Sequence, residues 1–196
     1  MKVLGMALVI CCFAGIGYLF WQEDMKYALP TPRPVNLKQV NTGTTLHIPG
    51  IATSGTQPIF LHFFNADCPC SRFNMDHFRN MVREHSDEAS FYVILQGENA
   101  SEAEKDFRRY DLPVEVIFDS RKKIANSCGV YSTPQALVLK ADGSLYFRGN
   151  YNKSRYCTLP GTNYAEIALR QAVRGYPPPS FEPAAYISYG CELPGR

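Results

Sequence analysis

The sequence predicts an α/β fold, a sheet flanked by helices in one domain. Three observations predict it: apolar runs of strand length alternate with segments of helical periodicity, an Asp142-Gly143 pair separates two apolar runs near the end of the series, and a last amphipathic segment follows. Ile59 to Phe64 is short and wholly apolar but for His62, the pattern of a buried strand. Phe73, His77, Phe78, Met81, Val82 and His85 then recur at intervals of three and four, so a helix is expected over about Ser71 to His85. Phe91 to Leu95 reads as a second strand. A polar helix over Ser101 to Tyr110 follows, expected to be capped by Ser101 with Glu104 at capping-box spacing. Val114 to Phe118 is a third strand, Lys122 to Ser127 a short helix, and Ala136 to Leu139 and Leu145 to Arg148 the two arms of a hairpin. Tyr164 to Arg174 is the closing helix.

The flanks differ from this domain. Val3 to Trp21 contains no charged residue and is close to the roughly 20 residues that span a bilayer, so residues 1–22 are expected to form a transmembrane anchor, with a cleaved signal peptide as the alternative. Residues 23–47 carry three alternate prolines, Pro30, Pro32 and Pro34, and read as an extended spacer. Residues 48–175 form the domain. Residues 176–196 open on Tyr176-Pro-Pro-Pro, which excludes helix and central strand, and read as an irregular tail laid over the surface. The net charge of +2 has no clustered basic stripe behind it, which leaves nucleic-acid binding without support. Five of the seven cysteines lie outside the anchor. That usage suits an oxidising compartment, so the domain is expected on the extracytoplasmic side of the membrane, periplasmic in a bacterium.

The chemistry concentrates where the first strand meets the first long helix. Cys68 and Cys70 stand in Asp67-Cys-Pro-Cys-Ser71, and a helix N-terminus stabilises a thiolate by its unpaired N–H groups. Neighbouring Asp67 opposes thiolate formation and Arg72 favours it. Phe-Phe-Asn-Ala-Asp-Cys68-Pro-Cys-Ser, the Gly129-Val-Tyr-Ser-Thr-Pro134 turn and the Lys-Ala-Asp-Gly143 hairpin ending in Phe-Arg-Gly149 together resemble the thioredoxin-like superfamily over residues 48–175. The segment inserted between the redox motif and Thr133-Pro134 is similar to the redoxin and cytochrome-maturation branch. Tyr189-Gly-Cys191 resembles the tail of bacterial redoxin-domain proteins of unassigned role.

The resemblance implies a membrane-anchored thiol-disulfide oxidoreductase acting on protein disulfides, with no organic cofactor. Its partners would be cysteine-containing envelope proteins. It makes Cys68 the nucleophile and Thr133-Pro134 a cis turn that packs beside it and pairs with an extended substrate. His62, six residues before Cys68, occupies the place of a buried acid that assists proton transfer; a hydrogen-bonded core histidine is the alternative. The chain departs from the family's C-x-x-C, because Ser71 holds the second position and Cys70 lies two residues from Cys68. A Cys68–Cys70 bond would close a strained ring and favour an oxidant or isomerase. The alternative is a resolving cysteine from elsewhere. Cys128 reads as a buried hydrophobe. A Cys157–Cys191 disulfide is the expected staple for the tail, the alternative having one of these two attack an oxidised Cys68. Other functions carried alongside are Cu(I) binding by Cys68 and Cys70 with one of His62, His77 or His85, and a non-catalytic binding module. Peroxidase activity has little support, since Phe63 to Asp67 lack the proline and hydroxyl residues of peroxiredoxins.

Overall fold

A computed structural model describes residues 2–25, 27, 29–53, 55–153 and 157–194; Lys26 and Ala28 of the expected spacer and the last two residues of the tail lie outside them. Helix α1 (Lys2–Phe20) has no buried side chain and is long and apolar enough to cross a membrane, the dimensions of an anchor or a signal sequence.

The domain is built on five strands in the order β3-β2-β1-β5-β6. Here β1 is Ile59–Phe64, β2 Ser90–Leu95, β3 Glu115–Phe118, β5 Gln135–Leu139 and β6 Leu145–Gly149. The first three run parallel, and β5 lies antiparallel to both β1 and β6. Between them come α2 (Pro69–His85), α3 (Ala100–Arg108), α4 (Lys123–Cys128) and α5 (Tyr164–Val173). Both faces of β1 are buried, which explains its unbroken apolar run. Phe60 and Phe64 point into a core with Met75, Phe78 and Met81 of α2, Phe107 of α3 and Leu169 of α5. Ile59, Leu61 and Phe63 face Ile124, Ala125 and Cys128 of α4 on the opposite side. Val40 and Leu46, inside the stretch expected to be spacer, are buried in this second core. Their apolar side chains find a place against the sheet that the proline pattern upstream of them did not suggest.

Helix α3 is not capped by Ser101. The cap is Asn99, whose Oδ1 accepts from the backbone N–H groups of Ser101 and Glu102 at 3.0 and 3.3 Å. The Ser101–Glu104 spacing misled because Ser101 already lies inside the first turn, two residues past the cap, and Glu104 lies beyond that turn. Replacing Asn99 with Ala should lower stability by about 1 kcal/mol, measured by denaturant unfolding, whereas Ser101→Ala should leave it nearly unchanged.

The proline-rich tail is tied down along its length. Asn150 Nδ2 donates to the carbonyls of Ala184 and Ile187 at 2.7 and 2.6 Å, and its backbone N–H donates to Ala185 at 2.8 Å. The Tyr164 hydroxyl donates to Glu182 at 2.6 Å, and Phe181 packs on the rings of Phe147 and Tyr164. Ser188 is fully buried, accepting on its carbonyl from Thr31 N–H and on its hydroxyl from the Gln135 side chain. From there the chain ends in a short strand, β7 (Cys191–Glu192), antiparallel to β4 (Ser132–Thr133). A strand in the tail runs against the sequence expectation. No proline stands between Pro183 and Pro194, and the strand forms within the ten residues between them.

Candidate functional site

The site forms where β1 hands the chain to α2. Cys68 is the N-cap of α2 and Pro69 takes the first helical position, where its missing N–H costs nothing. Cys68 is 1% exposed and Cys70, in the first turn, 2%. Across from them the Thr133–Pro134 bond is cis. The Thr133 carbonyl oxygen lies 3.3 Å from Cys68 Sγ.

Cys68 is disulfide-bonded to Cys191 of the tail, with the two Cα atoms 5.8 Å apart. This replaces the expected Cys157–Cys191 staple. The reason is the β4–β7 pairing, which sets Cys191 opposite Thr133 and therefore beside Cys68. Gly190 permits the approach: its φ is +134°, and a Cβ there would collide with the Thr133 carbonyl. The edge expected to receive an extended substrate is thus covered by the protein's own tail. Cys157 instead remains a thiol that donates to Asn74 Oδ1 at 2.9 Å, and burial pushes it up to about 12. Such a thiol does not ionise near neutral pH. Cys128 is likewise buried and raised to about 11, first by desolvation.

Cys70 is a thiol in this state, yet the sulfurs of Cys68, Cys70 and Cys191 all lie within 4.8 Å of one another. The strain argument built on a Cys68–Cys70 ring does not apply to this bond, which joins residues 123 apart. The sulfur cluster also changes the metal reading. Cys191 stands as the third soft ligand, where the sequence pointed to His62, His77 or His85. Beside the cluster opens a cavity of about 310 Å³ whose wall includes Cys70, Asn74, Pro134, Tyr151, Cys157 and Tyr189.

His62 lies in the aromatic core. Its ring stacks on Phe78 at 4.3 Å, and Nδ1 shares a 2.6 Å hydrogen bond with the Tyr151 hydroxyl. Complete burial pushes its pKa down to about 3. A base that weak does not take a proton from a thiol at neutral pH, and these surroundings support the core reading of His62. In the unfolded chain the imidazole binds a proton near pH 6.5, and in the folded protein only near pH 3. The unfolded state therefore binds more protons across that window, and stability falls as pH drops through it. The loss attributable to His62 should be about 1.4 kcal/mol per pH unit below 6.5. Comparing His62→Phe with the wild type in denaturant unfolding at pH 7.0 and 5.5 checks it: the variant should lose less stability between the two.

Residues 37–191 match the family described as Domain of unknown function (DUF6436). The chain belongs to this family. The match runs through the tail to Cys191, so both partners of the disulfide lie within it. No curated protein matches the sequence. Among solved structures, the chain is similar to an uncharacterized conserved protein from Geobacillus kaustophilus, with TM-score 0.67 and 16% identity over 86% of this chain and 98% of that one. A hypothetical protein from Sinorhizobium meliloti gives TM-score 0.64 and 13% identity over 80% and 95% of the two chains. The thioredoxin domain of a thiol-disulfide oxidoreductase from Bacteroides vulgatus gives 0.52 and 14% over 61% and 96%. These likenesses show the fold, which is thioredoxin-like.

Proposed function

We propose that this protein is a membrane-anchored thiol-disulfide oxidoreductase whose redox couple is Cys68 and Cys191, acting on cysteine-containing envelope proteins from the extracytoplasmic side. The observation that carries the reading is the Cys68–Cys191 disulfide at the N-terminus of α2, beside the cis Thr133–Pro134 turn, with a third sulfur in reach. The helix N-terminus stabilises Cys68 as thiolate when the bond opens, which makes it a good leaving group in one direction and a nucleophile in the other. Net exchange converts a client dithiol to a disulfide while the Cys68–Cys191 bond becomes two thiols, or runs in reverse. Cys70 can attack either partner of the couple from inside, so a disulfide can move within the cluster without solvent access. Helix α1 would hold the domain at the membrane, and no organic cofactor is needed for electron pairs carried by sulfur alone.

The test is stoichiometric. The oxidised full chain is mixed with a reduced dithiol peptide, and the peptide disulfide and protein thiols are counted. One peptide disulfide should form for each Cys68–Cys191 bond lost; a protein disulfide that persists in excess dithiol contradicts the reading and leaves a binding module with a structural bond.

The three-sulfur cluster favours a second reading, Cu(I) binding by the reduced chain, because a soft thiolate set suits that ion. One Cu(I) held per reduced chain, and lost on oxidation, would support it.

A further inference from the structure

We infer that clients meet this protein at Cys191 and not at Cys68, so that the tail cysteine forms the mixed disulfide. The inference rests on the exchange activity proposed above. Thiol-disulfide exchange requires the attacking thiolate to approach one sulfur along the S–S axis, opposite the sulfur that leaves. Burial screens Cys68 from a thiolate arriving from solvent. Cys68 is 1% exposed, set under the Thr133 carbonyl at the start of α2, and covered by β7. Cys191 is more open to one: it lies in a two-residue strand, is partly exposed, and is followed by exposed Glu192.

The chemistry favours the same direction. Attack on Cys191 expels Cys68, whose thiolate the helix N-terminus stabilises; attack on Cys68 would expel Cys191, which has no helix behind it. The tail holds Cys191 in place for this. Asn150, Tyr164, Gln135 and Thr31 all bind the segment between Glu182 and Gly190, so opening the disulfide leaves the tail anchored upstream of Cys191. The Cys191–client bond therefore forms within reach of both Cys68 and Cys70.

The steps balance as follows. A client thiolate attacks Cys191 Sγ, a Cys191–client S–S bond forms, and the Cys68–Cys191 bond breaks with its electron pair leaving on Cys68. A second client thiolate then attacks the client sulfur of the mixed disulfide and expels Cys191 as thiolate. The client dithiol is oxidised to a disulfide, the protein disulfide is reduced to two thiols, and the client's two protons pass to the protein thiols through solvent.

The experiment uses the full chain in detergent with its disulfide intact and reduced glutathione as a monothiol probe. The reaction is acid-quenched over a time course and the site of the first glutathione adduct is mapped by mass spectrometry. A Cys70→Ser chain is run in parallel so that Cys70 does not displace the adduct. The adduct should appear on Cys191 in at least about tenfold excess over Cys68 at the earliest times. An adduct appearing first on Cys68 overturns this inference while leaving the exchange activity intact. Absence of both an adduct and any loss of the disulfide overturns the exchange reading together with it.

Discussion

Cys68→Ser should reduce exchange with a dithiol or disulfide substrate by at least about 10³-fold, to the uncatalysed background, because it removes the group that both attacks and leaves. Neither Cys70 nor Cys157 occupies the N-cap position that Cys68 holds. Cys70 lies in the first turn of α2, past the cap, so that as sole partner of Cys191 it gives a poorer leaving group. Cys157 is held as a thiol by burial and by Asn74. Cys157→Ser is accordingly the control that should keep near-full activity. The assay is turnover of a disulfide-bonded peptide with dithiothreitol as donor, run below the unfolding temperature of each chain. Substantial activity in Cys68→Ser would remove Cys68 from the mechanism.

Cys191→Ser should lower the stability of the domain by about 5 kcal/mol, the chain-entropy value for a cross-link closing so long a loop. The bond joins residues 123 apart, so α2 to α5 and every strand of the sheet but β1 lie inside that loop. Because the tail keeps its hydrogen bonds to Asn150, Tyr164 and Gln135, the loss should come from the unfolded chain and not from disruption of the native core. A fall in Tm of roughly 10–20 °C corresponds to it for a domain of this size. Reducing the wild type should produce the same fall, and reducing Cys191→Ser no further one. Equal stability of the wild-type chain in its oxidised and reduced forms would mean that the tail, not the bond, does the fastening.

The parts of this structure written in local pattern were legible in the sequence. Ile59–Phe64 is apolar because both faces of β1 are buried, and the periodicity of Phe73 to His85 marks the inner face of α2. The turn at Thr133-Pro134 and the Asp142-Gly143 hairpin carry their own turn chemistry. Together these place Cys68 at the junction of β1 and α2. What the sequence withheld was non-local. Partner choice among cysteines more than a hundred residues apart is set by the path of the chain, and Cys157 and Cys191 are closer in sequence than Cys68 and Cys191. Strand β7 is two residues long, too short to show alternation, and it follows prolines that argue against any strand. Gly190 was the one available signal. A glycine directly before a tail cysteine fits a backbone brought against another strand, and Thr133 is that strand.

Whether Cys68 and Cys191 form a reversible redox couple is read directly from a redox titration of the intact protein. The full chain in detergent is equilibrated across a graded series of reduced and oxidised dithiothreitol, the thiols are trapped with acid and alkylated, and each cysteine is mapped by mass spectrometry. Cys68 and Cys191 should change state together at one potential while Cys157 and Cys128 stay alkylatable thiols throughout. A Cys157–Cys191 bond, or a Cys68–Cys191 bond that resists reduction across the whole series in the folded protein, would contradict it.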